Sequence, residues 1–147
     1  MKRLLPPRLF LLALAAMGLL AWLLPGPRLL GWPWQVAGVV PMLTGATLTL
    51  GGSRLFSQRG TNIKTFDEPG MLVTDGMFGF SRNPMYLGFV LFLVGVAATI
   101  GATTPFAVAA AFFVVTDRWY IRFEEAWMRS KFGAAYEDYA ASTRRWI

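Results

Sequence analysis

Four long apolar stretches leave this sequence few ways to fold. They lie near residues 4–24, 33–51, 85–102 and 103–121. A helix that crosses the hydrocarbon core of a bilayer needs about 20 residues, and each stretch has that length or nearly so. Only 15% of the residues are charged, whereas soluble domains have about 25%. The sequence therefore predicts an all-α integral membrane protein with about four transmembrane helices, in a single membrane domain over residues 1–147.

Local signals indicate where these helices begin and end. Residues 6–7 are prolines, which suit a first helical turn, and Pro-Gly-Pro at 25–27 ends the first stretch. Residues 101–105 alone separate the last two stretches, which predicts a tight C-terminal helical hairpin. Lys2-Arg3 before an apolar run also fits a signal peptide, with residues 13–15 as a cleavage pattern. The run continues well past that pattern, which favours a retained helix.

Basic residues predict the orientation in the membrane. With four spans, the odd-numbered connections contain only Arg28, and the other lysines and arginines fall on the opposite side. Short cytoplasmic loops retain such residues. We therefore expect both termini, a loop at 52–83 and an amphipathic helix at 122–143 in the cytoplasm, with the cell inner membrane as the location in a bacterium. This distribution, facing anionic lipid headgroups, accounts for the net charge of +6. A nucleic-acid partner is not expected.

The missing residue types restrict the chemistry. The chain has no cysteine and no histidine, so it offers neither a thiolate nucleophile nor an imidazole base. A metal site would depend on carboxylates, and the few present do not form a cluster in the sequence. We therefore expect no metal.

The polar segment at 52–83 carries features of a ligand-binding loop. Its residues 71–73, Met-Leu-Val, are apolar and favour burial, while Gly76 and Gly79 flank Phe78 so that the backbone can approach a ligand closely. The alternative is a flexible connector. The segment is long for a connector, so it is expected to fold back on the helices.

Residues 82–88, Arg-Asn-Pro-Met-Tyr-Leu-Gly, form a motif where this loop meets the third stretch. Asn83 can cap a helix that has Pro84 in its first position, and the free amides there suit a carboxylate or phosphate. Arg82 adds a positive charge. The alternative is purely structural: an arginine anchor, a helix cap and Tyr86 at the membrane interface.

The C-terminal region predicts an amphipathic helix with a carboxylate on its apolar face. The apolar face comprises Tyr120, Phe123, Trp127, Met128, Ala135 and Tyr139. At 100° per residue Glu124 lies within this face, whereas Glu125 lies toward its edge. A buried carboxylate needs a cationic partner, which is either an arginine such as Arg82 or the amine of a ligand.

These motifs together resemble the membrane methyltransferases that include isoprenylcysteine carboxyl methyltransferase and the phospholipid amine methyltransferases. The resemblance covers about residues 65–145 and is closest to the bacterial branch. The residues that carry it are 72–78, 82–88, Glu124-Glu125, Phe132-Gly133, Tyr136 and Tyr139.

The resemblance implies S-adenosylmethionine as the cofactor and a small or lipophilic methyl acceptor that enters from the bilayer. The residues it implies for cofactor binding are Met71, Leu72, Val73, Phe78, Asn83, Pro84, Met85, Tyr86 and Glu124. Arg82, Glu124 and Tyr120 are the catalytic candidates. The amine of the cofactor suits Glu124, and its carboxylate suits Arg82 or the helix start. Alignment of donor and acceptor supplies much of the rate, and this requires no metal.

Three positions depart from the eukaryotic pattern. Those enzymes have histidine at the position of Asn83, commonly tyrosine at Phe78, and an arginine for the substrate carboxylate at Tyr120. Arg118 or Arg122 can replace that arginine, or Tyr120 suits a different acceptor. The acceptor therefore stays open among a carboxylate, a thiol and an amine.

Two other functions are alternatives to the methyltransferase. A small helical transporter or structural subunit would use Glu124 and Arg82 as a gate or ion pair, although transport calls for polar groups at the bilayer midplane. A nicotinamide-dependent sterol reductase shares a related architecture, but the basic residues for a second phosphate are absent from this sequence.

Overall fold

The computed structural model of the protein describes residues 4–60 and 70–147, and every regular element in these ranges is helical. The all-α prediction is confirmed for this part of the chain. Lys2, Arg3, Lys64 and Thr65 lie outside the described residues. The helices are α1 (Pro6–Leu23), α2 (Val39–Gln58), α3 (Pro84–Ile100), α4 (Thr103–Val115), α5 (Arg122–Phe132) and α6 (Ala134–Ser142). Short 3-10 turns occur at Trp34–Gly38 and Gly76–Gly79, and a π-helical turn at Thr116–Ile121 joins α4 to α5.

Two helices among the described residues are long and apolar enough to cross a membrane. They are Pro6–Leu23, with 18 residues, and the continuous helix Trp34–Gln58, with 25 residues. Most side chains of α1 and α2 lie outside the protein core, as lipid-facing side chains would. Helix α3 is also apolar but has 17 residues. Helix α4 continues through the π turn into α5 without a break.

The second helix ends later than the sequence indicates. The predicted span stops at residue 51, but α2 continues to Gln58, and Gly60 follows with a positive φ of 66°. Gly51 and Gly52 therefore do not end the helix. They lie inside it and approach the side chains of Met77 and Met85. The glycines permit a close contact here, whereas in the sequence the same two glycines suggest the end of a helix.

Glycines spaced seven residues apart hold α2 and α3 together. Gly45 faces the backbone oxygen of Gly88, and Gly38 faces that of Gly95, so that a Cβ atom at any of these positions would collide with backbone. The hydroxyl of Thr49 also donates to the carbonyl oxygen of Met85, at 3.3 Å. Small residues let two helices approach closely in a membrane, where packing rather than exclusion of water favours association.

The connections gather at two opposite ends of the helices. At one end, the amides of Leu29 and Leu30 donate to the carbonyl oxygen of Gly101, at 2.7 and 3.1 Å, and the Thr103 hydroxyl donates to that of Pro27. The predicted tight connection between α3 and α4 is confirmed there, because only Gly101 and Ala102 separate them. The opposite end contains Leu4, the described part of the loop after α2, and the chain after α4.

The predicted C-terminal helix at 122–143 is broken in two. Gly133, at φ 52° and ψ −125°, separates α5 from α6. These angles are unfavourable for a residue with a side chain, and so glycine is suited to this break. The break redirects the chain, and Ala135, predicted on the apolar face, is exposed.

Candidate functional site

The candidate site lies where the start of α3 meets α5, α6 and the last residues of the chain. Arg82, just before α3, donates from Nη1 to the carbonyl oxygens of Ala140 and Thr143, at 2.7 and 2.6 Å. Its Nη2 donates to Oε1 of Glu125 at 3.0 Å. The amide of Arg82 donates to the carbonyl oxygen of Arg144 at 2.9 Å. Arg82 thus joins the two motifs that the sequence places about forty residues apart.

Glu125 is the centre of a buried ion-pair network. Its side chain is 5% exposed and also accepts two hydrogen bonds from Arg145, at 3.0 Å from Nε and 2.6 Å from Nη2. Arg145 contacts Asp117 as well, at 3.3 Å. Burial opposes ionisation of Glu125, but the hydrogen bonds and charges of Arg145 and Arg82 outweigh it and hold the pKa of Glu125 below its usual range.

This network corrects the prediction about the two glutamates. The sequence places Glu124 on the buried face and Glu125 at its edge, but Glu125 is buried and Glu124 is half-buried. The cause is the π turn at Thr116–Ile121. A π turn contains one residue more than an α-helical turn, so it shifts the residues that follow by about one position relative to a regular 100° count. Arg82 therefore pairs with Glu125, and the structural ion pair weighed for Glu124 involves its neighbour.

Glu124 faces the first turn of α3. Its Oε1 accepts a hydrogen bond from the hydroxyl of Tyr86 at 2.9 Å. The rings of Tyr86 and Tyr120 lie 6.5 Å apart, and the Tyr120 hydroxyl donates to the carbonyl oxygen of Leu4 at 2.7 Å. The structure thus brings together Glu124, Tyr86 and Tyr120 of the predicted site residues. The start of α1 forms one wall beside them.

Asn83 precedes α3 as predicted but does not cap it. Its Nδ2 donates to the carbonyl oxygen of Arg145 at 3.0 Å, and its backbone amide donates to the hydroxyl of Ser81 at 3.1 Å. The Asn83 side chain makes no capping hydrogen bond to α3, a helix described throughout, and Pro84 in its first turn has no amide. The Asn83 side chain therefore binds the C-terminal chain instead of capping α3.

The loop before α3 folds back on the helices, as expected. Val73 and Phe78 are buried, Leu72 is half-buried and Met71 is exposed. The Phe78 ring stacks on Phe56 of α2 at 4.7 Å between centroids. An ion pair between Arg59 and Asp75 joins the end of α2 to the same loop.

Tyr139 of α6 also binds this loop. Its hydroxyl donates to the carbonyl oxygen of Phe78 at 2.6 Å. Burial raises the pKa of Tyr139, so its hydroxyl stays protonated and remains a donor. An open groove of about 380 Å³ adjoins this contact, lined by Thr74, Ala135, Asp138, Tyr139, Ser142 and Thr143.

Sequence reasoning missed the role of the last residues. We call residues 143–147 the C-terminal strap. Its Trp146 donates from Nε1 to Asp117 at 2.9 Å and packs on Phe113, with centroids 4.8 Å apart. In the sequence, Arg144 and Arg145 indicate only cytoplasmic positive charge. The adjacent aromatic at Trp146 was the one sequence signal that this basic segment packs on the protein.

The arrangement is compatible with S-adenosylmethionine. Glu124 supplies a carboxylate for an ammonium group, and the first turn of α3, left uncapped by Asn83, supplies amides suited to a carboxylate. Tyr86 and Tyr120 supply aromatic faces suited to a sulfonium. Arg82 is directed toward α6 and Glu125, so a carboxylate at this site would meet the start of α3 rather than Arg82. Among the residues the structure describes, no group of three or more His, Cys, Asp or Glu could hold a metal ion.

These features define a helical protein with two candidate membrane-spanning helices among its described residues and a polar site at one end of its helices. The phospholipid methyltransferase family matches residues 34–135, which is well over half of the 147 residues. The chain belongs to this family. The predicted resemblance to membrane methyltransferases is thereby confirmed.

Individual relatives support the same family. A protein-S-isoprenylcysteine O-methyltransferase of Schizosaccharomyces pombe is 35% identical over 72 residues, which cover 47% of this chain and 29% of that protein. Protein-S-isoprenylcysteine O-methyltransferase B of Arabidopsis thaliana is 35% identical over 77 residues, covering 50% of this chain and 38% of that protein. An uncharacterized protein of Haemophilus influenzae is 32% identical over 63 residues, 43% of this chain and 100% of its own length.

The chain thus spans about a third of the length of the named methyltransferases that it matches. No solved structure gives a significant match.

Proposed function

We propose that the protein is an S-adenosylmethionine-dependent methyltransferase that acts on a lipophilic or small membrane-accessible acceptor. The observation that carries the proposal is the contact between Tyr86 and Glu124, at 2.9 Å, which places a carboxylate beside the start of α3. Family membership supplies the class of reaction. Met71, Leu72, Val73, Phe78, Asn83, Pro84, Met85, Tyr86 and Glu124 are the proposed cofactor-binding residues.

The chemistry required of the protein is orientation rather than proton transfer. When bound, the cofactor supplies a methyl group on a positively charged sulfur. Glu124 binds its amine, the amides of α3 bind its carboxylate, and the tyrosine rings contact the sulfonium. An anionic acceptor needs no general base, so the absence of histidine and cysteine from the sequence does not oppose this reaction.

The acceptor is proposed as a carboxylate, thiol or amine on an apolar molecule. Two of the named relatives are protein-S-isoprenylcysteine O-methyltransferases. Tyr120, which stands in place of the arginine in the eukaryotic pattern, donates to the Leu4 carbonyl at 2.7 Å. Arg118 and Arg122 are exposed nearby in sequence and can supply the positive charge for a carboxylate. Glu124 and Tyr120 stay the proposed catalytic residues. Arg82, whose guanidinium is held by Glu125 and α6, is proposed to act by positioning the start of α3.

The site is proposed to face the cytoplasm from a four-span membrane domain with both termini inside. The described basic residues other than Arg28 belong to the end of the molecule that contains the site or to the chain leading into it. Positive charge is retained on the cytoplasmic side of membrane proteins. In a bacterium this would be the cytoplasmic side of the inner membrane.

Calorimetric titration of S-adenosylmethionine into the purified protein in nanodiscs tests the proposal. We expect saturable binding that is weakened at least about tenfold in Glu124→Gln, since a charge-assisted hydrogen bond is lost. Ser142→Ala, an exposed substitution on α6, is the matched control and should bind like the parent protein.

Normal binding by Glu124→Gln would remove this residue from the site while leaving the reaction class intact. No binding by folded protein across several lipid compositions would contradict the methyltransferase proposal. Substrate flux into liposomes without any methyl donor would then favour the transporter.

A further inference from the structure

The C-terminal strap makes hydrogen bonds to both halves of the candidate site. The carbonyl oxygen of Arg145 accepts from Nδ2 of Asn83, at 3.0 Å, and from the hydroxyl of Ser81, at 3.4 Å. The guanidinium of the same residue holds both carboxylate oxygens of Glu125. One residue therefore bridges the chain before α3 and the face of α5 adjacent to Glu124.

We propose that Arg145 is a positioning residue of the cofactor site. It fixes the rotation of α5, so that Glu124 faces the first turn of α3, without itself touching the cofactor. The inference rests on the proposed function, because the purpose of this orientation is cofactor binding by Glu124.

The packing of α5 explains why such a fixed point is needed. Glu125 is the one residue of α5 that is buried, and α5 packs mainly against its sequence neighbours, the π turn and α6. An apolar core therefore does little to set its rotation. Because α4, the π turn and α5 follow one another without a break, α5 can rotate only if this turn changes. Regular α-helix in place of the π turn would rotate α5 by about 100°, the angle between successive helical residues, and exchange the positions of Glu124 and Glu125.

The ion pairs favour one of these rotations strongly. Glu125 in its observed position accepts hydrogen bonds from two arginines outside α5, Arg82 at 3.0 Å and Arg145 at 2.6 Å, and lies 4.0 Å from Arg129 of its own helix. The paired carboxylate oxygens fit the planar fork of Arg145, which gives the contact a fixed direction as well as a favourable energy. If α5 rotated, both arginines would lose this partner in a largely buried setting, and this is costly.

The strap is itself anchored, so Arg145 is a fixed reference point. Trp146 donates to Asp117 at 2.9 Å, and Arg145 contacts the same carboxylate at 3.3 Å. Asp117 belongs to the π turn that leads into α5. The anchor and the helix that it orients are thus connected through residues only a few positions apart.

Cofactor affinity of three variants provides the first test. Arg145→Ala should weaken S-adenosylmethionine binding about tenfold, a typical size for coupling between contacting residues. The affinity of Arg145→Lys should lie between those of the parent and Arg145→Ala, because lysine keeps the positive charge but lacks the planar guanidinium fork. Arg144→Ala is the matched control, since the exposed Arg144 side chain contacts only the carbonyl oxygen of Ile147 among described partners, at 3.5 Å; it should bind within about twofold of the parent.

A double-mutant cycle separates positioning from general loss of structure. If Arg145 acts through Glu124, then Arg145→Ala should change affinity by less than about twofold in a Glu124→Gln background. Full additivity of the two changes would overturn the proposal. The proposal would also be overturned if the parent protein binds S-adenosylmethionine and Arg145→Ala binds it equally well. The methyltransferase proposal would then still stand.

A ligand-independent measurement keeps the two proposals distinguishable. The chain has no cysteine, so spin labels can be placed at Ser57→Cys in α2 and Ser130→Cys in α5, both exposed. The distance distribution should be narrow in the parent and broad or shifted with Arg145→Ala. An unchanged distribution would contradict the positioning role. A parent that binds no cofactor would contradict the proposed function instead, and the distances alone would then report whether Arg145 fixes α5.

Discussion

Two adjacent carboxylates illustrate how surroundings decide the role of a residue. Glu125 is 5% exposed and has three arginines within 4.0 Å, Arg82, Arg129 and Arg145, whereas Glu124 is half-buried and faces Tyr86. Glu125, held by buried arginines, is suited to holding the fold, whereas Glu124 is the residue proposed to bind the cofactor amine. Substitutions at these two neighbours should therefore have different consequences.

Glu125→Gln should destabilise the packing of α5 and the C-terminal strap by about 3 kcal/mol, because removing one member of a buried ion pair leaves the other charge uncompensated. Thermal unfolding in detergent measures the change. Glu137→Gln is the control, since the pair between Glu137 and Arg129 is exposed and should contribute less than about 1 kcal/mol. Equal effects of the two substitutions would contradict the structural role of Glu125.

The same carboxyl predicts a loss of stability in acid. Its pKa in the folded protein lies below the ordinary value of 4.5, so folding favours the ionised form. The stabilisation is fully present above pH 4.5 and is lost as the pH falls through the lowered folded pKa. We expect the unfolding temperature of the parent to fall below pH 4.5 more steeply than that of Glu125→Gln. Parallel pH curves for the two proteins would contradict this assignment.

At the scale of elements, the α2–α3 contact depends on the absence of side chains. Gly45 and Gly88 face each other across it, with backbone atoms where a Cβ would lie. Gly88 belongs to the motif at 82–88, so the residues that position the start of α3 are partly packing residues. The motif thus has a structural component that its resemblance to a binding site conceals.

Gly45→Ala should lower the unfolding temperature and the yield of folded protein, at a cost of about 1–3 kcal/mol for overpacking. Gly18→Ala in α1 is the matched control, since a Cβ at Gly18 meets nothing within 4 Å among the described atoms. That change should be neutral or slightly stabilising, because alanine favours a helix. A tolerated Gly45→Ala would show that the two helices can separate without loss.

At the scale of the whole molecule, the connections divide cleanly between the two ends of the helices. Leu4 contacts Tyr120 at one end, and the backbones of Arg28 and Ala102 form an antiparallel bridge at the other. The proposed topology, with four crossings and both termini on one side, starts from this division. The predicted cytoplasmic face is then the end that contains Arg82, Glu124 and the strap.

Cysteine labelling tests this orientation, since the natural chain has no cysteine. A membrane-impermeant maleimide added to intact spheroplasts should label Gly31→Cys, between α1 and α2, but not Ser130→Cys in α5. Both should react after the membrane is permeabilised, which controls for access. The reverse pattern would contradict the predicted cytoplasmic termini, and equal labelling of both sites would contradict an odd number of crossings between them.

The sequence by itself determined the helical class, most helix starts and the methyltransferase resemblance. Proline at residues 6 and 84 and the apolar stretches act locally, and local preferences are legible in a sequence. The motif at 82–88 and Glu124 also identified the region of the candidate site. Gly51 and Gly52 made the predicted end of α2 too early, because a glycine that ends a helix and one that permits close packing look alike in sequence.

Only the tertiary structure decided which glutamate is buried and what the last residues do. The π turn at Thr116–Ile121 changes the helical phase before Glu125, and a regular 100° count does not contain it. The bond between Asn83 and Arg145 joins residues 62 positions apart. Such contacts arise from how the helices meet in space, so periodicity along the chain predicts the helices but not the ion-pair network that orients them.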